Sequence, residues 1–178
     1  MSIRTYQSHS PSIGESCYVD DSAVIIGDVH IAYDSSIWPL VIIRGDVNSI
    51  RIGNTTNIQD GSVLHVTHDG PYDYNRGGYS LNIGNNVTVG HNVILHGCNI
   101  ANNCLIGMGS IIMDGVIIKP NTIIGAGSLV SPGKALDANS LYVGRPVRKV
   151  RNLDAEEIES IQYSANHYFA LKNTYLGN

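Results

Sequence analysis

Two histidines, His91 and His96, lie five residues apart in the aliphatic segment VGHNVILHG at residues 89–97. Imidazole nitrogens are common metal ligands and proton carriers. A spacing of five misses the common face of a helix and puts two side chains on opposite faces of a strand. We therefore do not expect this pair to hold one ion alone, and the elements around it have to account for its spacing.

The chain around these histidines repeats with a period of six. An aliphatic residue, often followed by Gly or a small polar residue, recurs along most of the sequence, for example at Ile83, Val89, Leu95, then Ile100, Ile106, Ile112, Ile118, Ile124 and Val130. This hexapeptide repeat predicts a parallel β-helix, in which each aliphatic side chain points into a three-sided prism and Gly or Asn turns the corner. A β-sandwich would instead alternate with period two.

The predicted architecture is mainly β, with one helix. We expect residues 1–150 to form the β-helix, with an extruded loop near 66–82, and residues 151–178 to add an α-helix of the same domain that packs along the prism. Asp154 and Glu157 have the spacing of a capping box. Ile158, Ile161, Ala165, Tyr168 and Phe169 form the apolar stripe of that helix, and Lys172 is placed opposite it.

Counting hexapeptides aligns three polar residues on one side of the prism. If the loop is excluded and three extra residues are allowed near Asp46–Asn48, Arg44, His65 and His96 form one column, and His91 falls on another face. Two imidazoles one coil apart can converge on a zinc ion but leave two positions of a tetrahedron open. Since such prisms commonly pack as three-fold rings, His91 of a neighbouring chain could supply a third ligand.

Three segments carry a resemblance to a known family. RGDVNSIRIGNTTNIQDGSVLHVTH, VTVGHNVILHGCNI and IGMGSIIMDG closely resemble the gamma-class carbonic anhydrases, including their short bacterial hexapeptide-repeat branch. The resemblance implies a left-handed β-helix and a homotrimer with interfacial zinc sites. It also implies reversible hydration of CO2 to bicarbonate by a hydroxide on the zinc. The metal ligands that it implies are His65 and His96 of one subunit and His91 of the next.

The resemblance also assigns roles to other residues. Arg44 and Asp46 match an ion pair between subunits beside the metal, and Tyr163 matches a helix residue that leans over the pocket. Asn57, Gln59 and Asp60 match the polar row that borders the metal, with Gln59 bonded to the bound water. The glutamates that the best-studied enzymes carry near the metal are missing from the loop after His65. His68, together with Asp69, is the substitute that we expect to carry the proton away.

Other metals and other functions stay open at this point. Three imidazoles accept Fe2+ or Co2+ as well as Zn2+. The missing glutamates favour, as an alternative, a metal-binding hexapeptide protein with altered hydrolase activity, for example a thioesterase. A CoA-dependent acyltransferase needs only one histidine as general base, so it gives no reason for a three-histidine cluster.

Composition limits the partners and the compartment. The formal net charge of −4 offers no electrostatic footprint for nucleic acid or an anionic membrane, and a small neutral or anionic substrate such as CO2 or bicarbonate fits better. The first residues lack the apolar stretch of a signal peptide, and no span of membrane length follows, so we expect a cytoplasmic protein. Cys98 and Cys104 are expected in the core, and His9, His30 and His167 on the surface.

Overall fold

A computed structural model describes residues 2–177, and short strands dominate them. The strands are β1 (Ser2–Arg4), β2 (Ser12–Ile13), β3 (Tyr18–Val19), β4 (Val24–Ile31), β5 (Ser36–Ile37), β6 (Ile42–Ile52), β7 (Asn57–Ile58), β8 (Val63–His65), β9 (Leu81–Ile83), β10 (Thr88–Val89), β11 (Ile94–His96), β12 (Asn99–Ile100), β13 (Leu105–Ile106), β14 (Ile111–Ile112), β15 (Ile117–Ile118), β16 (Thr122–Ile124), β17 (Leu129–Val130), β18 (Ala135–Leu136), β19 (Ser140–Gly144) and β20 (Val147–Asn152). One α-helix, α1 (Ala155–Leu176), follows them.

The strands stack in parallel from one coil to the next. Leu95 of β11 pairs with Leu64 of β8 on one side and with Ile112 of β14 on the other. Within residues 2–177, the one antiparallel strand pair is the β19–β20 hairpin at the end of the solenoid. β6 pairs with β8 through its first residues and with β9 through its last, so it continues around a corner of the prism. Two faces of the prism are therefore joined in one 12-stranded sheet, and the third face is an 8-stranded sheet. The predicted parallel β-helix with a C-terminal helix is confirmed.

The repeat places one aliphatic side chain per strand inside the prism. Ile43, Leu64, Leu95 and Ile112 are all fully buried. Burial of such a side chain contributes about 1.5–3 kcal/mol, so the column as a whole is a strong driving force for stacking. Asparagines with positive φ turn corners, for example Asn92 at φ 55°, because asparagine tolerates the left-handed conformation better than most residues.

Two irregularities interrupt the stacking where the sequence predicted them. Gly27 faces Gly45 and Val29 faces Ile50, so two steps along β4 correspond to five along β6, which inserts three extra residues after Gly45. Farther along, an isolated antiparallel bridge joins Thr67 to Tyr79, and the chain between these two residues leaves the prism as a loop. Both features keep the later strands in register.

Helix α1 begins at the predicted capping box. Asp154 accepts a hydrogen bond from the backbone of Glu157, and the Glu157 side chain accepts one from the backbone of Asp154. Ile161 and Ala165 are buried against the prism as expected, whereas Phe169 of the predicted apolar stripe is 37% exposed. The prediction for Lys172 is wrong, because its side chain is fully buried on this same face. Its ammonium group lies 3.3 Å from Asp34 Oδ1, which offsets the cost of burial.

The expectations for two cysteines and for three surface histidines are confirmed. Cys98 and Cys104 are buried in the core, and burial raises the pKa of the Cys104 thiol to about 11. His9, His30 and His167 are exposed. No helix within residues 2–177 has the length and apolar character needed to cross a bilayer.

Candidate metal centre

His65 and His96 lie side by side on one face of the prism. They end β8 and β11 and are direct partners in the parallel ladder. Because Leu64 and Leu95 point inward, the residue after each points outward. The ring centroids are 5.1 Å apart, and His65 Nδ1 lies 3.0 Å from His96 Nε2. The predicted pairing of these two histidines, one coil apart, is confirmed.

Each of the two rings contacts a carboxylate through the nitrogen that does not face the other ring. His65 Nε2 lies 3.1 Å from Asp46 Oδ1, and His96 Nδ1 lies 2.8 Å from Asp114 Oδ1. An ionised carboxylate only accepts hydrogen bonds, so both ring nitrogens next to the carboxylates must donate. The two nitrogens that face each other, His65 Nδ1 and His96 Nε2, then carry lone pairs.

Two lone pairs 3.0 Å apart repel each other unless a proton or a cation lies between them. Two nitrogens that bind one tetrahedral zinc at 2.0–2.1 Å are about 3.3 Å apart, so a small opening of the pair would admit the ion. Carboxylate-backed imidazoles are also the usual ligands of zinc in proteins. The donor set of His65 and His96 therefore fits a metal such as zinc.

The electrostatics of this face keep His65 neutral and Asp46 charged. Burial lowers the pKa of His65, and the neighbouring charges of Arg44 and His96 add to this, against the opposing effect of Asp46. Burial by itself would raise the pKa of Asp46, but hydrogen bonds from Arg44 and His65 outweigh it and the pKa falls. Arg44 Nη1 lies 2.6 Å from Asp46 Oδ2 within one chain. A neutral imidazole is the form that binds metal.

His91 lies on another face. It follows β10 and Gly90, and its Nδ1 is 3.0 Å from Asp60 Oδ2, so it too has a carboxylate behind it. The His91 side chain is 43% exposed. Among residues 2–177, no three His, Cys, Asp or Glu side chains are grouped so that they could hold a metal ion. A single chain thus assembles two of the predicted ligands, and the third stays a prediction that requires another chain.

The predicted polar row runs beside His91. Asn57 and Gln59 are buried, and Gln59 Nε2 donates to Asn57 Oδ1 at 3.1 Å. Gln59 and His91 line a cleft between the prism and α1, together with Ser164 and Tyr168 of the helix. The role of Gln59 toward a bound water stays a prediction.

Two predicted residues lie apart from these contacts within one chain. Tyr163 is 72% exposed and stacks on His167, with ring centroids 6.5 Å apart. His68 lies in the loop, where its Nε2 is 3.0 Å from the amide nitrogen of the buried Asn75. Their roles at the metal stay predictions.

Sequence reasoning missed Asp114, Ser164 and Tyr168. The repeat gave no direct signal for Asp114, because the ladder pairs Leu95 with Ile112 and Asp114 therefore falls one residue beyond the position next to His96. Ser164 and Tyr168 carried no signal either, since their contact with the cleft depends on the rotation of α1 about its own axis.

Comparisons with known proteins agree with this architecture. Residues 97–132 match the family model described as bacterial transferase hexapeptide (six repeats). Over 98% of its length the chain is 55% identical to Protein YrdA of Escherichia coli, covering 94% of that protein. It is 49% identical to a protein named probable carbonic anhydrase from Methanocaldococcus jannaschii, covering 91% of this chain and 96% of the relative.

A solved structure with the same fold is a hexapeptide transferase family protein from Anaplasma phagocytophilum. It superimposes with a TM-score of 0.89 at 39% identity and covers 98% of both chains. The whole solenoid and its terminal helix are therefore shared with a protein known from crystallography.

Proposed function

Because the chain belongs to the gamma-class carbonic anhydrase family, we propose that it is a metal-dependent enzyme that hydrates CO2 reversibly to bicarbonate. The observation that carries the proposal is the His65–His96 pair, in which Asp46 and Asp114 each contact one ring nitrogen and the two other nitrogens face each other 3.0 Å apart. We further propose that the protein works as a homotrimer. In that assembly His91 of the next subunit completes the set of ligands, since one chain keeps His91 on a different face.

In this proposal the ligands are His65, His96 and the neighbour's His91. Zinc bound by three neutral imidazoles lowers the pKa of water to near 7 and so supplies a nucleophile for CO2 at neutral pH. Fe2+ and Co2+ also suit three imidazoles. The chain's carboxylates hold His65 and His96 in the orientation and protonation state that a metal requires.

Arg44 is placed to bind the anionic product. Its guanidinium is held by Asp46, which also contacts His65, and its side chain stays 45% exposed. An exposed guanidinium beside the metal ligands attracts bicarbonate and can bind two of its oxygens.

A proton must leave the site in each turnover, and we propose that His68 carries it. The Asn75 amide nitrogen can only donate, so His68 Nε2 accepts and the neutral ring carries its proton on Nδ1. Asn75 is itself buried, which fixes the ring within the loop. An imidazole held in place in this way is suited to exchange protons with buffer.

The test is stopped-flow CO2 hydration on protein of defined zinc content. We expect the wild type to exceed the buffer rate, and His65→Ala and His96→Ala to fall to it. His30→Ala, which changes an exposed histidine, is the matched control and should keep the wild-type rate. A zinc-loaded wild type no faster than buffer would overturn the proposal, and turnover of a thioester panel by the same sample would replace it with the altered-hydrolase alternative.

A further inference from the structure

Asp114 contacts His96 from the coil above it. Its Oδ1 lies 2.8 Å from His96 Nδ1 and accepts a second hydrogen bond, also of 2.8 Å, from Thr67 Oγ1. The side chains of His96 and Asp114 are 35% and 26% exposed, so most of the contact is shielded from water. Two hydrogen bonds to the same oxygen, one from His96 at the end of β11 and one from Thr67 just after β8, fix the carboxylate in place.

The residue after His96 makes room for this carboxylate. Gly97 has φ 52°, and a Cβ at this position would overlap Asp114 Oδ1 and lie 2.6 Å from the Cβ of Tyr79. A side chain at residue 97 would therefore push Asp114 away from His96. The position of Asp114 is thus built into the backbone as well as into the hydrogen bonds.

We propose that Asp114, supported by Thr67, is a positioning residue that fixes His96 as the Nδ1–H tautomer and so presents the Nε2 lone pair to the metal. This inference rests on the proposed function, because it concerns a ligand of the proposed site. The contact between Asp114 Oδ1 and His96 Nδ1 determines which nitrogen is free.

Loss of Asp114 has a specific chemical consequence. Without the carboxylate, the proton of His96 moves to Nε2, where it can donate to His65 Nδ1 at the observed separation of 3.0 Å. That hydrogen bond occupies both lone pairs that a metal would use, and it must break before the ion binds. Removal of an outer-shell partner typically weakens metal binding by about 10- to 100-fold.

The first measurement needs no metal. Long-range proton–nitrogen NMR on the metal-free protein at pH 8.5 reports the tautomer of His96. We expect Nδ1–H in the wild type and a shift toward Nε2–H in Asp114→Ala. Retention of Nδ1–H in Asp114→Ala would overturn the inference.

The second measurement is the zinc dissociation constant, obtained by competition with a chelator. We expect Asp114→Ala to bind zinc about 10- to 100-fold more weakly and Thr67→Val, which leaves the carboxylate present, to lose less. Asp73→Ala is the control, since the Asp73 side chain is 99% exposed in the loop. Unchanged affinity in Asp114→Ala would overturn the inference. If the wild type binds no zinc, the proposed function fails, while the tautomer measurement still supports or overturns the positioning role.

Discussion

The proposed trimer, in which His91 comes from the neighbouring subunit, predicts how much zinc is bound when two ligand-deficient variants are mixed. His91→Ala subunits keep His65 and His96, and His96→Ala subunits keep His91. In a trimeric ring that contains both variants, one interface out of three joins an intact pair to an intact His91 of the neighbour, whichever variant is in excess. We therefore expect mixed trimers to hold about one third of the wild-type zinc, and each parent alone to hold none at this site.

The assay uses two affinity tags. The variants are co-expressed, purified through both tags in succession so that only mixed trimers remain, and analysed for zinc and for CO2 hydration. His65→Ala mixed with His96→Ala is the matched control. Both of these changes damage the same side of the interface, so no complete site forms and no zinc should be recovered.

The outcome that refutes the reasoning is the absence of zinc from the His91→Ala and His96→Ala mixture. That result would mean that the three histidines do not meet across an interface. Full occupancy in the His91→Ala parent would also refute it, because His65 and His96 would then hold the ion with no help from His91. The distance of 3.0 Å between the facing nitrogens would in that case describe a site complete within one chain.

Two further predictions concern stability. Lys172→Ala removes a fully buried cation that contacts Asp34, and we expect it to lower the free energy of unfolding by about 2–4 kcal/mol in urea titrations. The control Lys134→Ala changes an exposed lysine and should alter the free energy of unfolding by less than about 0.5 kcal/mol. Equal effects of the two substitutions would contradict the contact assigned to Lys172. The salt bridge to Arg151 lowers the pKa of Glu157 from 4.5 to about 2, so its stabilising effect is present above pH 4.5 and is lost as the pH falls toward 2. Thermal melts of Glu157→Gln should therefore differ from wild type above pH 4.5 and converge with it near pH 2, and a difference that grows as the pH falls would contradict this assignment.

The pairing of His65 with His96 could be predicted because it depends on counting. Each hexapeptide has a fixed place in the coil, so once the loop after His65 is excluded, the two histidines fall one coil apart. The same counting does not lead to Asp114, because Leu95 pairs with Ile112 and the register therefore places Met113 next to His96.

The burial of Lys172 could not be predicted in this way. Its partner Asp34 is 138 residues distant in the chain, at a corner of an early coil. Helical periodicity orders the residues around α1 but does not say which of them faces the prism when the helix has a weak apolar stripe. A lysine on the buried face is tolerated only where the fold happens to bring a carboxylate to it.

The sequence by itself determined the β-helix, its corners and the column that contains His65 and His96, because these follow from a local pattern repeated every six residues. It also determined the terminal helix, because the capping box at Asp154 and Glu157 marks where that helix begins. Only the tertiary structure decided which carboxylate stands behind each imidazole and hence which nitrogen is left with a lone pair. Those choices depend on side-chain contacts between coils, at distances of about 3 Å, and the repeat places residues in register without fixing how their side chains turn.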